Sequence, residues 1–264
     1  MLRLAYVLVA FFTMTPAYIA ALWLIGTFRL PGRQALTIRY CRTLCALLRV
    51  RIRVVGRPAQ GRPALILCNH VSWIDIPVMA AIGPNIFVAK HEVASWPIVG
   101  ITARLQRTVF VDRARRHETA SVNAEIARRL REGDPVVLFA EGTSSDGNRV
   151  LEFRSALVGA MAQVEPEHEV LLQPASIGYT RVQGVPLGRR HRPLVAWYGD
   201  LDFTPHFKEV VRRGPFDVTV TFGEPVRIDG SQDRKAVARS LEATVRRMTA
   251  AALREPAPKL NAAA

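Results

Sequence analysis

The chain has 264 residues, 49% of them apolar, with 36 Lys+Arg against 22 Asp+Glu and a formal net charge of +14. That apolar share excludes disorder as a general description, and the length suits one large domain or two small ones. A basic balance of this size implies a polyanion, and its placement separates nucleic acid from an anionic membrane: residues 1–62 hold ten Arg and no Lys, Asp or Glu, the first acid being Asp75.

The first predicted element is apolar. Between Arg3 and Arg29 lie 25 uncharged positions, about 37 Å as a helix, against a hydrocarbon core of about 30 Å. The apolar run continues through Leu22, Trp23, Leu24 and Ile25, where a cleavable signal peptide turns polar, so a retained anchor is expected. Pro16 leaves two forms open, a straight span or a kinked hairpin dipping into one leaflet. Next, Leu36, Tyr40, Leu44, Leu47 and Leu48 share a helical face, with Arg39, Arg42 and Arg49 opposite. This reads as a basic amphipathic helix on an anionic surface, the alternative being a helix packed on the domain with a solvated Arg face. A basic arm attached to a long apolar run fits lipid better than nucleic acid. The positive-inside rule then expects the remaining chain on the cytoplasmic side of the membrane.

From Arg62 onward, strands are expected at Ala64–Cys68, Ile86–Ala89, Thr108–Val111 and Val136–Ala140, with a helix at Arg115–Glu132. Later strands are expected at Leu171–Tyr179, Leu194–Tyr198 and Asp217–Phe222, then a helix over Ser231–Arg254 with Ser231 as N-cap. The alternation predicts an α/β fold, a mostly parallel sheet flanked by helices and preceded by the N-terminal anchoring segment. Residues 1–58 are assigned to anchor and amphipathic helix, 59–254 to the globular domain and 255–264 to a flexible tail. Cys41, Cys45 and Cys68 are too few and wrongly spaced for a disulfide framework or a zinc site, so reduced core thiols and no metal are expected.

Three stretches at strand ends carry chemistry. Asn69-His70-Val71-Ser72-Trp73-Ile74-Asp75 places a carboxylate five residues after an imidazole. Such a pair fixes the ring tautomer and frees the second nitrogen as a general base, although spacing alone leaves a structural histidine open. Phe139-Ala140-Glu141-Gly142-Thr143-Ser144-Ser145-Asp146-Gly147 builds a turn where α/β sheets bind ligands, or an ordinary polar turn. Val109-Phe110-Val111-Asp112-Arg113 ends a strand in a cation that is a surface charge on the plainest reading.

In this order, the stretches resemble the glycerolipid acyltransferase superfamily, the lysophosphatidic acid acyltransferase-like enzymes, over about residues 60–225. The NHxxxxD block is matched by Asn69, His70 and Asp75, and a strand ending in Arg after an upstream Lys by Arg113 and Lys90. The F-P-E-G-T-R-S block is matched by Phe139, Glu141, Gly142 and Thr143, and a late-strand Pro by Pro174. Ala140 stands where the family has Pro, and Ser144 where it has the Arg that helps hold an acceptor phosphate. A hydroxyl does not replace a bidentate guanidinium. Either Arg113, Lys90 or Arg154 carries that charge, or the acceptor has no phosphomonoester. The run EGTSSDGNRVLEFRSALVG is similar to the bacterial lyso-ornithine lipid acyltransferases, whose acceptor is a hydroxyl on a fatty chain with a zwitterionic headgroup.

The resemblance implies an O-acyltransferase moving a fatty acyl group from acyl carrier protein or coenzyme A to a lysolipid hydroxyl. His70 is the expected base and Asp75 its orienter. Asn69, Lys90, Arg113, Glu141, Gly142, Thr143, Ser144, Arg154 and Pro174 are the expected substrate-binding residues. Backbone N–H groups near Gly142 or just after His70 are the expected oxyanion donors. The thioester is a co-substrate, and no separate cofactor and no nucleic acid is implied. Arg104, Arg107, Arg113, Arg115 and Arg116 are offered as contacts for the acidic carrier protein or for the membrane surface, or as a solvated face. Phosphatidate synthesis and dual specificity are the alternative reactions, and a non-catalytic membrane lipid-binding protein is the alternative of another class. No G-x-S-x-G elbow, P-loop or G-x-G-x-x-G occurs, which disfavours a thioesterase or lipase.

Overall fold

In the computed structural model, which describes residues 2–111, 119–155, 170–227 and 233–254, two helices precede the sheet. Helix α1 (Leu2–Thr27) runs unbroken through Pro16. The chain reverses at residues 28–32, where Gly32 takes φ 103°, and α2 (Arg33–Leu47) follows. The hairpin is therefore made by this turn and not at the proline.

The sheet order is β1 (Val50–Val55), β8 (Phe216–Phe222), β6 (Leu171–Val182), β2 (Ala64–Cys68), β5 (Val136–Phe139), β3 (Ile86–Lys90), β4 (Val109–Val111). From β6 to β4 the pairings are parallel, β8 runs antiparallel to β6, and β1 lies parallel to β8. Short β7 (Val185–Pro186) and β9 (Val226–Arg227) pair antiparallel with β6. The central strands β2 and β5 are buried along their whole length, as the near-continuous Val/Ile/Leu runs of a parallel sheet covered on both faces require.

One apolar cluster joins α1, α2, α3 (Asp75–Ile82) and α6 (Phe203–Arg213) to the sheet. The other joins α5 (Thr119–Arg131) and α7 (Arg234–Arg254) to the opposite face. Helix α4 (Val99–Leu105) lies between β3 and β4 in sequence.

Several expectations are corrected. Leu194–Tyr198 is not a strand: a 3-10 turn over Arg192–Leu194 leads into an irregular segment. Pro193 withholds a ladder N–H, and Val195 and Ala196 are buried as loop residues rather than as a strand. β1 and α6 are additional elements. The N-terminus of α7 is capped by Asp233, whose carboxylate accepts from the N–H groups of Lys235 (3.0 Å) and Ala236 (3.3 Å). Ser231, Arg113, Arg115, Arg116 and residues 255–264 lie outside the described residues.

Helix α1 is apolar all round and long enough to cross a membrane, yet one stripe of it is docked. Val7, Thr15, Tyr18 and Leu22 are buried, spaced three, four and eight apart as one helical face demands. Thr15 Oγ1 pairs with Tyr40 Oη at 2.9 Å, Tyr18 stacks on Tyr40 at 3.9 Å, and Gln106 donates to Tyr18 Oη at 2.9 Å. The Arg3 guanidinium donates to the carbonyls of Gly214 and Leu48. Away from that stripe Leu2, Tyr6, Val9, Phe12, Trp23 and Leu24 are exposed. In α2, Tyr40, Cys41 and Cys45 are buried, Arg39 is exposed, and Arg42 Nε donates to Ala81 O at the end of α3. All three cysteines are free and buried.

Candidate active site

The C-terminal ends of β2, β5, β3 and β4 form one edge of the sheet, because these strands are mutually parallel. That edge is where open α/β sheets place ligands. Asn69 and His70 follow β2 there, Glu141 to Ser144 follow β5, and exposed Lys90 ends β3.

Asn69 extends the ladder with its side chain. Its Nδ2 donates to Ile177 O at 3.0 Å, and its Oδ1 accepts from Ile177 N at 2.8 Å, just past the β2–β6 pairing of Cys68 with Ala175. The chain then turns through Val71–Ile74 into α3, whose first residue is Asp75. Asp75 is completely buried, and its two oxygens receive four donors. Oδ2 meets His70 Nδ1 at 2.8 Å, Val71 N at 2.7 Å and Ser72 N at 3.0 Å, while Oδ1 accepts from Tyr179 Oη at 2.7 Å. A buried carboxylate is tolerable only with such saturation.

The carboxylate therefore accepts the hydrogen bond of His70 Nδ1–H, leaving Nε2 without a hydrogen-bond partner among the described residues. The ring lies against Phe139 with centroids 4.1 Å apart and planes 17° from parallel, which restricts rotation. His70 keeps 19% of its side chain exposed, against none for Asp75. An imidazole fixed in tautomer and plane, with one free nitrogen open to solvent, is able to accept a proton from a hydroxyl.

The turn after β5 is stitched to the same loop. Ser145 N donates to His70 O at 2.9 Å, and Trp197 N donates to Val71 O at 2.9 Å. Ser144 Oγ donates to Trp197 O, so its hydroxyl is committed to the loop. Glu141 is buried with Oε1 accepting from Leu151 N at 3.2 Å and Oε2 unpartnered. Burial pushes its carboxyl up to about 8, against the pull of backbone N–H groups. Gly142 has φ +72°, and Thr143 is exposed. Exposed Arg154 reaches this turn, its N–H bonded to Ala140 O at 2.9 Å.

Not every expected residue converges. Pro174 is buried in β6, its carbonyl accepting from Gly223 N and its ring close to Gly223. By strand alternation it faces away from Tyr179. Arg107 is engaged by Asp134 (2.7 Å) and Glu132, and Arg104 by Ala94 O. The N–H groups of Val71, Ser72 and Gly142 are consumed by Asp75 and by Phe139 O. Among the described residues, no group of His, Cys, Asp and Glu assembles as a metal site.

Tyr179 and Trp197 are unanticipated contributors. Tyr179 ends the expected β6 strand two residues after buried Ile177, on a face where a hydroxyl needs a partner. Trp197 sits in an aromatic group with Trp96, Phe203, Phe207 and Trp73, neighbouring centroids lying 5.4–6.0 Å apart. Trp73 Nε1 donates to His206 Nδ1 at 3.0 Å.

The family model described as Acyltransferase matches residues 51–178. A lyso-ornithine lipid O-acyltransferase of Brucella abortus is 51% identical over 215 residues, 80% of this chain and 80% of that protein. One from Rhizobium meliloti is 43% identical over 260 residues, 94% and 88% of the two chains. A 1-acyl-sn-glycerol-3-phosphate acyltransferase of Neisseria meningitidis is 30% identical over 221 residues, 83% and 82%. Among solved structures, the 1-acyl-sn-glycerophosphate (LPA) acyltransferase of Thermotoga maritima superposes with a TM-score of 0.68 over 97% of this chain and 99% of that one. At 21% identity that likeness concerns the fold alone.

Proposed function

The chain belongs to the acyltransferase family, among the lyso-ornithine lipid acyltransferase-like members, and from that premise we propose that it acylates the hydroxyl of lyso-ornithine lipid. The acyl donor in this reading is a thioester of acyl carrier protein or coenzyme A. The observation that carries it is the His70 ring, held at Nδ1 by Asp75 with Nε2 free.

His70 Nε2 takes the proton of the acceptor hydroxyl as its oxygen attacks the thioester carbonyl carbon. Asp75 stabilises the imidazolium that forms. The tetrahedral intermediate collapses by breaking the carbon–sulfur bond, and the leaving thiolate recovers the proton from Nε2. An ester and a free thiol result, with no acyl-enzyme. General-base catalysis of this kind contributes about 10²–10⁴-fold. In the turn after β5, the N–H groups of Thr143 and Ser144 have no hydrogen-bond partner among the described residues and are the donors we assign to the oxyanion.

The acceptor assignment draws on Ser144, whose hydroxyl is spent on Trp197 O in place of a phosphate-holding arginine. Lysophosphatidate is the second reading, favoured by the Neisseria relative. The exposed apolar face of α1 and the Arg-rich first 62 residues support seating on the cytoplasmic face of the inner membrane. In this reading the docked stripe of α1 stays on the protein and its outer face lies in the bordering leaflet.

The test offers purified protein both lysolipids in mixed micelles with one acyl donor, beside His70→Ala. Acylation of lyso-ornithine lipid, lost in the variant, is expected. Undiminished transfer by a folded His70→Ala protein would discard the mechanism, and acylation of lysophosphatidate alone would discard the acceptor.

A further inference from the structure

We propose that Arg154 reads the anionic group of the acceptor headgroup, which in lyso-ornithine lipid is its carboxylate. The proposal rests on the lyso-ornithine lipid reading and deepens it.

Gly142 provides the seat. A methyl group built on it would stand 2.6 Å from Arg154 Nε, 2.8 Å from Cδ and 3.1 Å from Cζ. The Arg154 side chain thus crosses directly over the glycine, at a backbone φ of +72° that also favours glycine. Its own backbone is fixed by two neighbouring hydrogen bonds. Arg154 N is bonded to Ala140 O, while Phe153 is buried and its N–H donates to Glu242 Oε2 at 2.9 Å.

The guanidinium itself is exposed and makes no hydrogen bond to a described residue. Neither neighbouring side chain interferes with this role. Ser144 has turned its hydroxyl to Trp197 O, and buried Glu141, being neutral over much of the range below pH 8, does not cancel the Arg154 charge. The turn after β5 therefore carries a pre-positioned, planar, two-pronged cation seated over Gly142. Its chemical complement is a carboxylate or a phosphate monoester, both of which are headgroup anions of the lysolipids in question.

The test compares the wild type with Arg154→Gln and Arg154→Lys. Acceptors are lyso-ornithine lipid, the same lipid with its carboxylate converted to a primary carboxamide, and lysophosphatidate. Arg154→Gln is expected to raise the KM for lyso-ornithine lipid roughly 10- to 100-fold with kcat little changed. It is expected to leave the KM for the carboxamide as in the wild type, with Arg154→Lys in between. An equal loss on carboxylate and carboxamide, or no loss on the carboxylate, would overturn the proposal. If only lysophosphatidate is acylated, the acceptor reading fails while Arg154 is still judged. A KM rise of the same size on lysophosphatidate supports it, and an unchanged KM overturns it.

Discussion

Tyr179 donates its hydroxyl to Asp75 Oδ1 at 2.7 Å across 104 positions of sequence, so the carboxylate that orients His70 is held from the far side by strand β6. Burial and the Asp75 charge keep the Tyr179 phenol well above its ordinary pKa, so it stays a donor throughout the working range. Tyr179→Phe leaves one buried carboxylate oxygen unpaired. The expected outcome is a loss of about 1–3 kcal/mol in denaturant unfolding. A fall in kcat with an unchanged acceptor KM should accompany it, because the aim of the ring is affected and the acceptor site is not. A KM effect with normal kcat would contradict this placement.

Glu141 makes stability depend on pH in an unusual direction. Its carboxyl is raised by burial to about 8 in the folded chain, from an ordinary 4.5. Between those values the folded state binds more protons than the unfolded state, so stability falls as pH rises through the window. Glu141→Gln, neutral and of the same shape, is expected to remove that slope. The wild-type deficit relative to the variant should grow to a few kcal/mol by about pH 9. Urea midpoints across that pH range for both proteins measure it, and parallel curves would refute the assignment.

His206 acts with the opposite sign. Burial lowers its pKa below the ordinary 6.5, and its Nδ1 accepts from Trp73 Nε1. As pH falls below about 6.5 the unfolded chain takes up a proton that the folded chain resists, so this part of the stability is lost on acidification. His206→Phe should flatten the stability curve on the acid side of about pH 6.5. The lost acceptor should also cost about 1 kcal/mol near neutral pH. Urea midpoints of both proteins read the two effects, and an unchanged acid slope in the variant would contradict the assignment.

The two faces of α1 should separate experimentally. Phe12→Glu with Trp23→Glu changes the exposed face and is expected to lower partition onto anionic vesicles roughly ten-fold or more, with the melting temperature kept. Leu22→Ala opens the docked stripe and is expected to cost about 2–5 kcal/mol. Vesicle flotation and thermal melting read the two effects, and equal destabilisation by both would argue against a docked helix.

Local signals are legible along the chain. The charge-free run after Arg3, the apolar strands β2, β3 and β5, and the His70–Asp75 spacing are all properties of neighbouring residues, visible as periods or offsets. The five-residue spacing brings the pair together because Asp75 begins α3 immediately after the turn that His70 opens. Where an element depends on a distant partner, the local pattern misleads or is silent. Leu194–Tyr198 has the apolar content of a strand, but periodicity alone does not distinguish a paired run from a buried loop. β1 lies inside a basic block, and although Arg51 and Arg53 alternate with Val50, Ile52 and Val54 at a strand period, its place beside β8 at the sheet edge comes only from the tertiary pairing.

The +14 charge behaves likewise. Sequence alone determined that ten of those charges surround one apolar segment, the pattern from which a lipid counterpart is proposed. Tertiary structure decided the rest: which stripe of α1 the protein keeps, which arginines are already paired, that Tyr179 and Trp197 meet the His70 loop, and that Arg154 crosses over Gly142. Charge and hydropathy are carried by each residue wherever the chain goes. A hydrogen-bond partner exists only after the sheet order has brought β6 beside β2 and the Trp197 loop over both.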